Sequence, residues 1–181
     1  MLFQSKPSLI IWLTRNSIVF ADRKSQQGLD IPTAVANNLE IIDPAGLSQT
    51  IEQFCQAHKV EKQQVIIVLD EEVVFRKTIS TSPDEDSRLM VEEFTSKVPL
   101  SPEVRQVLSI TLKDQLILLG VNKAYYETIV TALSKTENKI IGVVPLMAYG
   151  IRDINQLDEK SVDSILTNSG PIKTANFLIK S

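Results

Sequence analysis

Val65-Ile66-Ile67-Val68-Leu69-Asp70 decides the fold: five apolar residues in an unbroken run, closed by a carboxylate. A strand with one wet face alternates apolar and polar residues, so an unbroken run reads as a strand covered on both faces, as in α/β layers. One cover lies just upstream. Asp43-Pro44 supplies an N-cap and a proline at the first helical position. Leu47, Ile51, Phe54, Cys55 and His58 then share one face of a helix of about fifteen residues. Further out, Leu9-Ile10-Ile11-Trp12-Leu13 and Ser17-Ile18-Val19-Phe20-Ala21 are β-rich runs joined by Thr14-Arg15-Asn16, a hairpin. Residues 30–38, with Pro32 and two Asn, read as a loop leading to a short strand, Leu39-Glu40-Ile41-Ile42. Hairpin, helix and buried strand make a small α/β layer over residues 1–70.

Downstream, a second pattern covers residues 71–150. Residues 73–79 form a strand, and Ser82-Pro83-Asp84-Glu85 is a capping box opening a helix whose face is Met90, Phe94 and Val98 and which ends at Pro99. Residues 104–112 and 115–121 are strands around the turn Lys113-Asp114. Asn122 caps a helix with the stripe Tyr126, Ile129, Val130 and Leu133, and Lys139-Ile140-Ile141-Gly142-Val143-Val144 closes the series as a strand. The order is βαββαβ, the ferredoxin-like split βαβ arrangement. In residues 151–181, 152–160 read as a linker, and 161–167 with 172–179 as a hairpin across Asn168-Ser169-Gly170-Pro171. That hairpin either adds to the preceding sheet or opens something that continues past Ser181.

The whole chain of 181 residues carries 19 Lys and Arg against 22 Asp and Glu, a net charge of −3 without the basic stripe that nucleic-acid binding demands. A single Cys rules out an internal disulfide. No apolar run approaches the roughly 18–20 residues that span a bilayer, and the first residues lack the pattern of a secretory signal. Together these features predict a cytoplasmic protein.

Catalytic machinery is not legible. His58 is the only His, so any Ser/His/Asp or Cys/His apparatus would have to be built around it; its place near a helix C-terminus reads as a cap favoured by the helix dipole. Cys55 and His58 would need two further ligands to hold zinc, and no other Cys or His exists. Asp84-Glu85-Asp86 falls in a first helical turn and Glu92-Glu93 on a solvated face. Asp70-Glu71-Glu72 follows a buried strand, where α/β proteins often place ligand-binding groups, although a tight turn between two strands is the better explanation. Six scattered Gly form no phosphate-cradling loop. Trp12 in a strand and Tyr125-Tyr126 at a helix start read as packing.

Several strings, in order, resemble the PilM-like actin-like assembly proteins of type IV pili and the cytoplasmic domain of the type II secretion L protein. They are Val65 to Asp70 running into Val74-Phe75-Arg76-Lys77-Thr78-Ile79, then Glu92-Glu93-Phe94 through Val98-Pro99-Leu100-Ser101-Pro102. Leu118-Leu119-Gly120-Val121-Asn122-Lys123 with Tyr126 follows, and then Ile141-Gly142-Val143-Val144-Pro145-Leu146-Met147-Ala148. The resemblance covers residues 8–150 and implies the N-terminal half of an actin-like (ribonuclease H-like) fold, with 71–150 as an inserted βαββαβ subdomain. ATP-binding members carry Asp-x-Gly in the opening hairpin; Thr14-Arg15-Asn16 stands there instead, lacking both the Asp and the Gly. Residues 162–179 are the expected start of a second half, with Thr167-Asn168-Ser169-Gly170 at its phosphate turn.

What this implies is a non-catalytic cytoplasmic scaffold at the inner face of the membrane, with no cofactor and no metal. It binds the cytoplasmic tail of an inner-membrane assembly protein in the groove between the subdomains, and an assembly ATPase is a further expected partner. Two alternatives stand beside it: the N-terminal part of a nucleotide-dependent actin-like switch, and a small-molecule regulatory module built on the βαββαβ unit.

Overall fold

The computed structural model describes residues 6–80, 87–112, 115–152 and 154–178. The unbroken apolar run forms strand β6 (Gln64–Leu69), which lies inside a five-stranded sheet. It pairs in parallel with β1 (Leu9–Leu13) and with β10 (Lys139–Pro145). β1 pairs antiparallel with β2 (Ser17–Ala21), and β2 with β3 (Gln26–Asp30), giving the order β10-β6-β1-β2-β3.

Successive side chains of a strand point to opposite faces, and the central strands feed two separate cores. Ile11, Leu13, Val65, Ile67 and Leu69 pack beneath α1 (Pro44–His58) and α3 (Lys123–Lys135). Ile10, Trp12, Ile66 and Val68 pack on the other side against Val162, Ile165 and Leu166. The unbroken apolar run is therefore a consequence of two buried faces. Helix α1 starts as its sequence dictates: the Asp43 carboxylate accepts the Gly46 N–H at 2.9 Å, with Pro44 in the first turn. It stops at Lys59, whose φ of 57° is left-handed and whose N–H returns to the carbonyls of Cys55 and Gln56.

Between β6 and α3 the chain builds a second sheet. β4 (Ala36–Asn37) and β5 (Glu40–Ile41) precede α1 as a small pair, and one 3₁₀ turn (Glu71–Val73) follows β6. Then come β7 (Phe75–Ser80), α2 (Ser87–Lys97), β8 (Arg105–Leu112) and β9 (Gln115–Asn122), with strand order β7-β9-β8, all antiparallel. Phe94 and Val98 pack on Leu116 and Leu118 of one sheet face, while Ile117, Leu119 and Val121 of the opposite face join the core under α1 and α3. The end of α2 lies so close to β9 that a Cβ at Gly120 would sit 2.9 Å from Val98 Cγ2. The capping box at Ser82 to Glu85 and the turn Lys113-Asp114 lie outside the described residues.

Two expectations need correction. The closing strand of the βαββαβ series does not join the inserted sheet; it returns to the first sheet as β10, beside β6. Val143 and Val144 are both fully buried, and burial of consecutive residues needs a sheet covered on both faces. α3 returns with it: Lys135 Nζ donates to Glu52 Oε1 at 2.8 Å and to Ser48 Oγ at 3.0 Å, tying α3 to α1. The lysine holds the Glu52 carboxyl below its usual range.

The second correction concerns the hairpin read in 161–167 and 172–179. The chain forms two helices there, α4 (Glu159–Thr167) and α5 (Gly170–Thr174). Asp158 caps α4 by accepting the Ser161 N–H at 2.8 Å, and Val162, Ile165 and Leu166 fall at i, i+3 and i+4 on its buried side. The segment 152–160 is accordingly a linker only up to Asp158. Thr167 ends one helix and Gly170 begins the next, so no phosphate turn of a second half forms at Thr167 to Gly170.

Candidate functional site

In open α/β sheets, ligands bind outside the carboxyl ends of the parallel strands. Here β1 and β6 end side by side at Thr14-Arg15-Asn16 and Asp70-Glu71-Glu72, and the Asp70 N–H donates to the Leu13 carbonyl at 2.9 Å. The β1–β2 turn is closed on itself. Thr14 Oγ1 accepts the Ser17 N–H at 3.0 Å and the Asn16 N–H at 3.4 Å, so the amides a phosphate would need already have an acceptor. From α3, the Tyr125 phenol reaches the turn and donates toward the carbonyls of Arg15 (3.0 Å) and Thr14 (3.2 Å). Burial pushes this phenol far above its ordinary range, so it stays protonated as a donor. Arg15 itself reaches across to the Glu72 carbonyl at 3.5 Å.

Asp70 is 8% exposed. One carboxylate oxygen accepts Trp12 Nε1–H at 2.9 Å and the other the Glu72 N–H at 3.0 Å, capping the 3₁₀ turn. Of the two readings of Asp70-Glu71-Glu72, the turn between strands is the one the geometry fits. Glu71 pairs with Arg76 at 3.7 Å.

The remaining sequence candidates disperse. His58 is exposed in the last turn of α1, its ring tilted on Phe54 with centroids 4.3 Å apart. Cys55 is fully buried, and desolvation pushes its thiol upward. A thiol-specific aromatic disulfide reagent is therefore expected to leave Cys55 unmodified at pH 8 in folded protein and to titrate one thiol after denaturation; rapid reaction in the native state would contradict this burial. Glu92 pairs with Arg88. Glu93 takes both Lys97 and Lys77, which hold its carboxyl below the usual range. Asp84 to Asp86 lie outside the described residues. Among the described residues no group of three His, Cys, Asp or Glu is placed to hold a metal, and no helix is long and apolar enough to cross a membrane.

One feature was not legible as a site. After α5, Asn176 and Phe177 run along the outer edge of β10: the Phe177 N–H donates to the Val143 carbonyl at 2.9 Å, and Asn176 Oδ1 accepts the Val143 N–H at 3.0 Å. The Phe177 carbonyl accepts from Gln106 Nε2 of β8 at 2.8 Å. Gln106 Oε1 in turn takes the Tyr126 phenol. Phe177 thus bridges the two sheets; the residue is 2% exposed, and its ring centroid lies 6.4 Å from that of Tyr126. The sequence offered no signal for it: residues 172–179 read as a strand of a hairpin, whereas 176 and 177 form no strand and reach β10 through one backbone bond and one side-chain amide. On the far side of the molecule, a solvent-open groove of about 1040 Å³ separates the β2–β3 turn from the start of α4, bridged by Arg23 and Asp163 at 2.9 Å.

No protein-family model and no curated protein matches the chain. Among solved structures it is similar to a chain of the PilM–PilN type IV pilus biogenesis complex, at 15% identity and TM-score 0.54, over 80% of this chain and 48% of that one. It is also similar to the cytoplasmic domain of EpsL, an inner-membrane component of the type II secretion system of Vibrio cholerae, at 9% identity and TM-score 0.50, over 81% of this chain and 60% of that one. A Bacteroides thetaiotaomicron protein with an actin-like ATPase fold and unknown function aligns at 14% identity and TM-score 0.44, over 77% of this chain and 54% of that one. The chain spans about half the length of the first of these and three fifths of the second. The fold is thus mixed α/β, and it is shared over about four fifths of this chain with a chain of the PilM–PilN complex and with the cytoplasmic domain of EpsL.

Proposed function

We propose that the chain is a non-catalytic scaffold of a type IV pilus or type II secretion-like machine. It works at the inner face of the cytoplasmic membrane by binding a cytoplasmic segment of a membrane partner. The observation that supports the non-catalytic part is the closed β1–β2 turn, where Thr14 occupies the Asn16 and Ser17 amides and Tyr125 is bonded to the turn carbonyls. A phosphate cradle needs free amide donors and room for backbone to approach. The partner part is supported by the fold shared with a chain of a PilM–PilN complex.

Immobilised full chain is expected to retain the cytoplasmic tail of at least one membrane protein of such a machine, and uniformly negative capture would sink the reading. Calorimetry with ATP and Mg²⁺ is expected to give no heat beyond dilution at about 1 mM nucleotide, a weak-binding limit of roughly −4 kcal/mol. Saturable heat would favour the nucleotide-switch alternative instead.

A further inference from the structure

We propose that β3 is a self-association edge, on which a second copy of this chain lays its own β3 in an antiparallel register centred on Gly28. The parity of the β2–β3 ladder decides which backbone groups are on offer. At one end the Asp22 N–H donates to the Ser25 carbonyl at 3.0 Å, and at the other the Ile31 N–H donates to the Asn16 carbonyl at 2.8 Å. Bonding residues alternate along an antiparallel strand, so Gln27 and Leu29 bond inward, opposite Phe20 and Ile18. The N–H and C=O groups of Gln26, Gly28 and Asp30 therefore face outward, and among the described residues no backbone group meets them. Edges protected against pairing carry a lysine, a proline or a bulge. β3 carries none of these: it is Gln26-Gln27-Gly28-Leu29-Asp30, in unbroken register with β2.

The occupant is a second copy because the edge complements itself. A two-fold axis at Gly28 sets Gly28 against Gly28 and Gln26 against Asp30, so the outward residues of one copy exchange both main-chain bonds with those of the other. On one face Leu29, half-buried against the core of its own chain, becomes the diagonal neighbour of Leu29 of the second copy. On the other face Asp30 lies diagonal to Lys24 of the second copy. Both are exposed and make no ion pair among the described residues of their own chain, whereas Arg23 beside them is held by Asp163. An interface of one short strand per copy falls in the weak, exchanging class. The pairing stands independently of the scaffold reading above.

The test uses the full chain. Sedimentation velocity at low salt is expected to show monomer and dimer in exchange between about 10 and 500 µM protein. Asp30→Lys puts like charges at the diagonal and is expected to weaken association at least about fivefold, and adding Lys24→Asp is expected to restore it to within about threefold of the parent. Register is read by cross-linking. A Cβ at Gly28 meets nothing within 4 Å and its backbone is not left-handed, so Gly28→Cys adds no strain, and the native Cys55 is buried. The facing Cα atoms would lie about 5.5 Å apart, within disulfide reach. Mild oxidation is expected to link Gly28→Cys into dimers at least about tenfold faster than Gln26→Cys, whose two copies would lie about 13 Å apart along the edge. Equal linking rates overturn the proposal, as does association that Asp30→Lys leaves unchanged. A parent chain that stays monomeric at about 500 µM overturns it too, whatever other strand binds that edge.

Discussion

Ile67→Ala is expected to lower the melting temperature by about 5–15 °C, the largest effect among single truncations considered. Ile67 is fully buried in the middle of β6, with α1 and α3 above it and paired strands on both sides. No neighbour can collapse into the space without moving a strand, so the loss combines transfer and cavity terms of about 2–5 kcal/mol. For a chain of this size each kcal/mol moves the midpoint by about 2–4 °C. The paired control is Ile42→Ala: that side chain is 58% exposed and its truncation is expected to change stability by no more than about 0.5 kcal/mol. Differential scanning calorimetry on the two variants checks the contrast, and equal shifts would mean that Ile67 is not enclosed in the core beneath α1 and α3.

Asp70→Ala comes next, and its effect comes from what it leaves behind. The carboxylate accepts Trp12 Nε1–H and the Glu72 N–H inside a nearly closed environment. Removing it strands two donors at about 1–3 kcal/mol each, so a loss of roughly 2–5 kcal/mol is expected. Asp70→Asn keeps one acceptor and turns its amide nitrogen toward the other donor, which places it between the parent and the alanine variant. Trp12 is the only tryptophan, so emission reports this contact directly. Its maximum is expected to move to the red in Asp70→Ala before global unfolding, and an unchanged spectrum with unchanged stability would show that the contact carries no energy.

What could be read from the sequence was local. Asp43-Pro44, Asn122 and the Val65 to Leu69 run each announce themselves within a turn or a strand, and each does in the fold what its chemistry dictates. Lys139 to Val144 was legible as a strand but its neighbour was not, because pairing is chosen by which sheet has an open parallel edge, a property of the assembled layers. Gln26-Gln27-Gly28-Leu29-Asp30 carries no β-branched residue and so no local strand signal. It is held as a strand by its neighbour β2 and by the Asp22 carboxylate, which gathers the N–H groups of Lys24 and Ser25 in the turn. In the tail, Val162 and Ile165 are β-branched and favour a strand locally, whereas their three-residue spacing and the cap at Asp158 carry the helix. At the candidate site the missing Asp and Gly were visible in Thr14-Arg15-Asn16. The arrival of Tyr125 from α3 was not, since it depends on where that helix packs.

Residues 176 and 177 also bear on the lateral margins of the five-stranded sheet. Its β10 side has Val143 satisfied by Asn176 and Phe177, whereas among the described residues no backbone bond is made on the outer side of β3. A sheet with one closed margin has a valence of one for lateral pairing, which ends in pairs; with both margins open it has a valence of two, which permits unlimited growth. Lateral pairing of copies along β10 would first have to displace the two bonds that Asn176 and Phe177 make to Val143.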